Sequence, residues 1–197
     1  MSQTRQAKTL TPKQQAMVAH HLTTSRYPAR DQVIFLMSMK AGMRAKEIAN
    51  VTWAMVTDSD GQVCDDIALE DRAAKGKRGG RTIPVHPELK KALIVLHEER
   101  GDLAHPDWPV IFSERGRGQS PAAITLWFHR LYNRLGLLGC SSHSGRRTFI
   151  TQAARKIVLA GGSLRDVQQL AGHSALTTTQ RYIEGSSDAK RRVVGMI

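Results

Sequence analysis

Cysteine is scarce in this chain. Cys64 and Cys140 are the only two in 197 residues, they stand far apart, and no Cys-x-x-Cys spacing occurs. A disulfide framework and a structural zinc site are therefore not indicated, and a reducing cytoplasm fits best. Long apolar runs are missing too. The longest, around Val33 to Met39, falls well short of the roughly 18 to 20 residues that span a bilayer, so no membrane partner is expected. The opening MSQTRQAKTLTPKQQ has no apolar stretch of the kind a cleaved secretory signal requires. Aromatics make up only 5%, which argues against the stacking platforms that grip single-stranded nucleic acid. Acidic residues are in deficit: 17 Asp and Glu face 29 Lys and Arg, leaving a formal charge of +12. Such an excess suits a polyanion through counterion release, and duplex phosphate is the favoured partner. The same charge would also serve merely to keep a basic protein in solution.

With 41% hydrophobic residues, the chain can bury a real core, and its length suits one compact soluble domain. The pattern predicts a mainly α protein with a small antiparallel β-sheet, an α+β fold. Thr11-Pro12-Lys13-Gln14 carries a capping residue, a proline at the first helical position and a capping-box glutamine, predicting a helix to about Thr23. Pro28 opens a second helix that Gly42 ends, and Arg44 to Asn50 forms a third. Val63 to Leu69 and Arg81 to Val85 read as strands flanking a glycine-rich turn. Pro87 begins a helix with Leu89, Leu93, Ile94 and Leu96 inward. Further helices are expected over Ala122 to Leu135, His143 to Leu159, Leu164 to Leu170 and Thr177 to Glu184. Residues 1–10 read as a flexible arm, 11–185 as the folded domain, and 186–197 as a tail whose apolar end could dock in cis or in trans.

Several polar groups stand out. Arg72, Lys75, Lys77, Arg78 and Arg81 cluster around Gly76, Gly79 and Gly80. A phosphate-binding P-loop would need a second glycine where Arg81 stands, so a basic hairpin tip against a DNA backbone explains the residues better. A solvated turn would contain the same ones. His143 and Arg146 are three apart; on a helix already begun they would share a face near its positive N-terminus and cradle one phosphate group. Gly172-His173 is followed nine residues on by Tyr182. Taken singly, such a histidine and tyrosine are ordinary packing residues.

The ordered set says more. Gly42-Met43-Arg44-Ala45-Lys46-Glu47, the lysine turn, His143-x-x-Arg146, Gly172-His173 and Tyr182 occur in one sequence order, and together they resemble the tyrosine recombinases, also called phage integrases, from about Thr11 to the end. The residue after Arg146, often histidine in that family, is here Arg147. The lysine turn is one residue out of the usual register for Lys75 and for Lys77 alike; Lys75 is preferred, with Lys77 the alternative. The chain begins almost at the catalytic domain, so the resemblance implies a minimal, catalytic-domain-only form.

What the resemblance implies is metal-independent and cofactor-independent strand cleavage and religation through a 3′-phosphotyrosine, the chemistry of site-specific recombination. Tyr182 would be the nucleophile, with Arg44, Lys75, His143, Arg146 and His173 as the other catalytic residues and Glu47 holding Arg44. A surface pair one helical turn apart is the plainer reading of Glu47. Arg72, Lys77, Arg78, Arg81 and Arg147 would contact DNA. The implied partner is double-stranded DNA bound by a homotetramer on paired sites, with an accessory DNA-bending protein, in the cytoplasm at the nucleoid. A tyrosine topoisomerase uses a similar site and differs in resealing the same strand. A noncatalytic DNA-binding regulator of the same fold is the reading from outside enzymology. No Gly-x-Ser-x-Gly elbow supports a serine hydrolase, and chelator sensitivity would mark a metal-dependent nuclease.

Overall fold

The computed structural model describes residues 6–73, 80–116, 118–182 and 194–195. The chain divides into two compact units, Met1–Phe149 and Ile150–Ile197.

In the first unit, α1 (Pro12–Leu22) starts as the sequence dictates. Thr11 accepts from the Gln14 amide at 3.3 Å, and the Gln14 side chain accepts from the Thr11 amide at 2.9 Å. Pro28 at the first position opens α2 (Pro28–Lys40), where its missing N–H would have had no helical partner in any case. Val33, Ile34 and Met37 of α2 are fully buried. The short α3 (Ala45–Asn50) follows. Strands β1 (Asp66–Leu69) and β2 (Arg81–Pro84) pair antiparallel, with Ile67 opposite Ile83 and Leu69 opposite Arg81. Helices α4 (Pro87–Arg100) and α5 (Pro121–Arg134) complete the framework. Helix α2 packs on α1 and α4, and α3 on α5. Trp53, Leu89, Leu93, Phe128 and Tyr132 fill the space between, each large apolar side chain contributing about 1.5 to 3 kcal/mol by leaving water.

Helix α6 (Ser144–Lys156) begins in the first unit and continues into the second. A 3-10 turn over Ile157–Ala160 follows it, then α7 (Leu164–Ala171) and α8 (Leu176–Gln180), which pack on each other around buried Val167, Ala171 and Thr179. Among the described residues no helix is long and apolar enough to cross a membrane.

The mainly helical fold with one small antiparallel sheet is as expected; the boundaries need revision. The first strand begins at Asp66 and not at Val63, because Val63 forms an isolated bridge with Thr57 and the Cys64 amide bonds the Val56 carbonyl at 2.9 Å. Helix α6 starts one residue after His143 and tightens to 3-10 geometry after Lys156. Helix α8 gives way to a turn at Arg181 and Tyr182; Ile183 and Glu184 lie outside the described residues. The arm expected over residues 1–10 is tied down at its inner end. The Lys8 amide donates to the Gly139 carbonyl at 3.0 Å, the Leu10 amide to Thr148 Oγ1 at 2.8 Å, and Leu10 is buried. Burying one leucine and pairing its amide outweighs the freedom of a loose end. Of the tail at 186–197, only Val194 and Gly195 are described.

Candidate active site

Gly42 closes α2 with a left-handed backbone, φ +63°, a region where any Cβ would be strained. A side chain there would also run into the Phe149 ring. The turn delivers two things: the Gly42 carbonyl, and the start of α3 two residues later. Arg44 is the residue flanking α3, and its backbone N–H donates to Glu47 Oε2 at 2.8 Å while its Nη1 donates to Oε1 at 2.8 Å. Arg146, in the first turn of α6, is buried and donates from Nη1 to the Gly42 carbonyl at 2.5 Å. The same turn thus accepts from Arg146 and leads directly into Arg44, whose guanidinium Glu47 holds.

Glu47 is fully buried, so the surface-pair reading does not hold. Arg81 grips it as well, Nη1 to Oε1 at 2.9 Å and Nη2 to Oε2 at 3.0 Å. Burial pushes the Glu47 carboxyl up, but the hydrogen bonds and charge of Arg81, followed by those of Arg44, overcome it and bring the carboxyl down from 4.5 to about 2. It is an anion across the physiological range.

The other residues singled out in the sequence fall in different places. His143 is exposed and precedes the helix; its carbonyl accepts the Arg147 amide at 2.8 Å, and its Nδ1 lies 3.4 Å from Ser142 Oγ. It therefore occupies the capping position, with Arg146 buried three residues on. Arg147 bonds the Gln6 side chain. Arg72 is exposed and paired with Glu70 at 2.6 Å. Arg81, expected among the DNA-contacting cations, has its guanidinium turned inward onto Glu47 with 8% of its side chain exposed. Lys75, Lys77 and Arg78 lie outside the described residues.

In the second unit, His173 and Tyr182 are brought together, their rings stacked with centroids 5.7 Å apart and planes 22° from parallel. His173 Nδ1 lies 2.9 Å from Thr179 Oγ1, and Thr179 is fully buried. The Tyr182 amide donates to the Thr179 carbonyl at 3.0 Å, so one threonine touches both residues. Thr179 and the inward Arg81 are the two polar contributors that sequence reading missed. For Arg81 a signal existed: along a strand alternate residues share a face, and Arg81 shares one with buried Ile83. For Thr179 the signal was its place one helical turn before Tyr182.

The profile of the phage integrase family matches residues 8–188. Among curated proteins, the tyrosine recombinase XerC of Bradyrhizobium diazoefficiens is 31% identical over 159 residues, covering 78% of this chain and 45% of its own. The tyrosine recombinase XerA of Thermococcus onnurineus is 27% identical over 164 residues, 83% of this chain and 54% of its own. This chain spans about half the length of these curated relatives. Among solved structures, the Tn1549 transposon integrase in complex with a circular intermediate DNA superposes with a TM-score of 0.75 at 19% identity, covering 100% of this chain and 68% of that one. A XerA recombinase crystal structure gives 0.70 at 22% identity, covering 97% and 65%. These likenesses establish the tyrosine recombinase catalytic-domain fold.

Proposed function

Since the chain belongs to the phage integrase family, we propose that it carries out site-specific recombination of duplex DNA through a covalent phosphotyrosine. The observation that carries this reading is the shared turn: the Arg146 guanidinium is bonded to the Gly42 carbonyl two residues before Arg44, whose own guanidinium is held by buried Glu47. Paired guanidiniums are the donors a phosphate with growing negative charge requires.

In this mechanism the Tyr182 phenol oxygen attacks phosphorus and the bond to the 5′ oxygen breaks. The phenol is a poor nucleophile at its ordinary value of about 10, so its proton must leave during attack, a transfer that His143 assists. Arg44 and Arg146 hold the nonbridging oxygens through the pentacoordinate transition state, and His173 donates a hydrogen bond to one of them. Lys75 protonates the departing 5′ oxygen. The product is a 3′-phosphotyrosyl bond and a free 5′-hydroxyl. A 5′-hydroxyl from a second duplex then attacks the linkage, reforms the phosphodiester and returns the proton to Tyr182. Bond energy is conserved, so no nucleotide hydrolysis is needed.

Duplex DNA is the partner this scheme requires, with a tetramer on two paired sites as the working assembly and a DNA-bending protein as an aid, in the cytoplasm at the nucleoid. Solved relatives of the same fold support the substrate class: XerH is bound to its difH substrate, and a λ integrase dimer to a core site. The test incubates the full chain with a pool of randomised duplexes, each nicked to trap the intermediate, and separates the products on a denaturing gel. Wild type is expected to migrate with DNA attached and Tyr182→Phe without it. Attachment that survives Tyr182→Phe would overturn the reading.

A further inference from the structure

Glu47 presents an electrostatic question. A lone carboxylate beside Arg44 would cancel the positive charge that Arg44 brings to a phosphate, and burial would magnify the cancellation. Two arginines meet it instead. Arg81 approaches with both terminal nitrogens, at 2.9 and 3.0 Å, and retains 8% side-chain exposure. Arg44 approaches with one, at 2.8 Å, and retains 28%. The more deeply buried arginine makes the two-pronged fork that matches a carboxylate's geometry. These three groups together carry one net positive charge, and Arg44 is the more accessible of the two cations.

We propose that Arg81 is a positioning residue for strand cleavage: it neutralises Glu47, so that Glu47 can orient Arg44 without cancelling its charge, and it makes no DNA contact of its own. The proposal rests on the reading of Arg44 as a phosphate ligand given above. It also explains why an arginine begins β2. Arg81 pairs across the hairpin with Leu69, which turns it to the same inward face as Ile83. It follows residues 74–79 in the chain, the segment that includes Lys75. The bond to Glu47 therefore pins the first residue of β2 to the Arg44 cap.

The experiment compares full-length wild type, Arg81→Gln, Arg81→Lys and the double variant Arg81→Gln/Glu47→Gln. The first readout is covalent-complex formation on a nicked duplex recovered from the randomised pool. Arg81→Gln is expected to slow it by about tenfold or more. The double variant should recover part of that loss, because the opposing carboxylate has gone, and Arg81→Lys should fall between wild type and Arg81→Gln. The second readout is the salt dependence of binding to a fluorescein-labelled mixed-sequence duplex. Removing a phosphate contact lowers the logarithmic slope by about one, whereas the proposal expects the double variant, in which no carboxylate is left to cancel Arg44, to keep the wild-type slope. The third is the Glu47 carboxyl carbon resonance, expected to titrate at higher pH in Arg81→Gln than in wild type.

A reduced salt slope in the double variant, a double variant that cleaves more slowly than Arg81→Gln, or wild-type cleavage by Arg81→Gln would each overturn the proposal. If Arg81→Gln does not fold, Arg81→Lys against the double variant carries the same comparison. If wild type forms no covalent complex, the proposed function fails, while the salt slope and the carboxyl titration still decide the role of Arg81.

Discussion

Arg146 and Gly42, 104 residues apart in sequence, are joined by a guanidinium-to-carbonyl hydrogen bond of 2.5 Å. The acceptor is a backbone oxygen whose direction depends on a positive φ. Gly42→Ala should therefore act in two ways. The left-handed backbone costs roughly 1 to 2 kcal/mol for a residue with a Cβ, and crowding against Phe149 adds a similar amount. The urea midpoint should drop with no change in slope, and covalent-complex formation should fall further than stability alone accounts for. An unchanged midpoint would contradict this account of the turn.

Glu47 predicts an acid limb in stability. Its carboxyl lies at about 2 when folded against an ordinary 4.5, so the folded state binds its proton less readily than the unfolded state. The resulting stabilisation is fully present above about pH 4.5 and fades as the pH falls toward 2. It amounts to about 3 kcal/mol for the whole window. Glu47→Gln should lack this component, so the stability gap between the two proteins should narrow between pH 5 and pH 3. Parallel pH profiles would refute the charge state assigned to Glu47.

Tyr182→Phe removes one oxygen and leaves the ring that stacks on His173. Binding to duplex should be unaffected and covalent attachment abolished, as read by a mobility shift in native gels and its absence in denaturing ones. Loss of both together would point to a structural role.

Lys75 and Lys77 can be separated by leaving-group chemistry. Sulfur in place of the 5′ bridging oxygen leaves without a proton, so the general-acid variant should be rescued and the other should not. Lys75→Ala is expected to lose about 10² to 10⁴ in cleavage rate on the oxygen substrate and regain most of it on sulfur. Rescue of Lys77→Ala alone would reverse the assignment.

Thr179 offers a quieter test. Valine keeps its volume and removes the hydroxyl that lies 2.9 Å from His173 Nδ1. One neutral hydrogen bond is worth about 1 kcal/mol, so Thr179→Val should slow covalent attachment about fivefold, and Thr179→Ser should restore it. A Thr179→Val enzyme as fast as wild type would remove this residue from the mechanism.

Local chemistry made the helices legible in the sequence. Pro12, Pro28 and Pro87 mark helix starts because a proline costs nothing where the first N–H is unpaired, and all three open helices here. Pro121 does the same for α5, one residue before the start expected from its apolar face. The ordered motifs placed Arg44, Glu47 and Arg146, but not their partners. The depth of Glu47 depends on Arg81, 34 residues away, and the anchoring of Leu10 on Thr148, 138 residues away. Neither separation leaves a trace in local pattern. Charge places Arg81 with the turn cations, whereas strand alternation turns it inward beside Ile83.

The contact at Leu10 has a practical corollary. Thr148 Oγ1 accepts the Leu10 amide at 2.8 Å while donating to the Ser144 carbonyl at 2.7 Å, so the amino end is fastened to the opening turn of the helix that carries Arg146. A bulky handle fused by a short linker just ahead of Gln6 would load that fastening directly. Tension applied there in a tethered-molecule measurement would load buried Leu10 and the opening turn of α6 together, which makes this stretch an unsuitable place to hold the protein by.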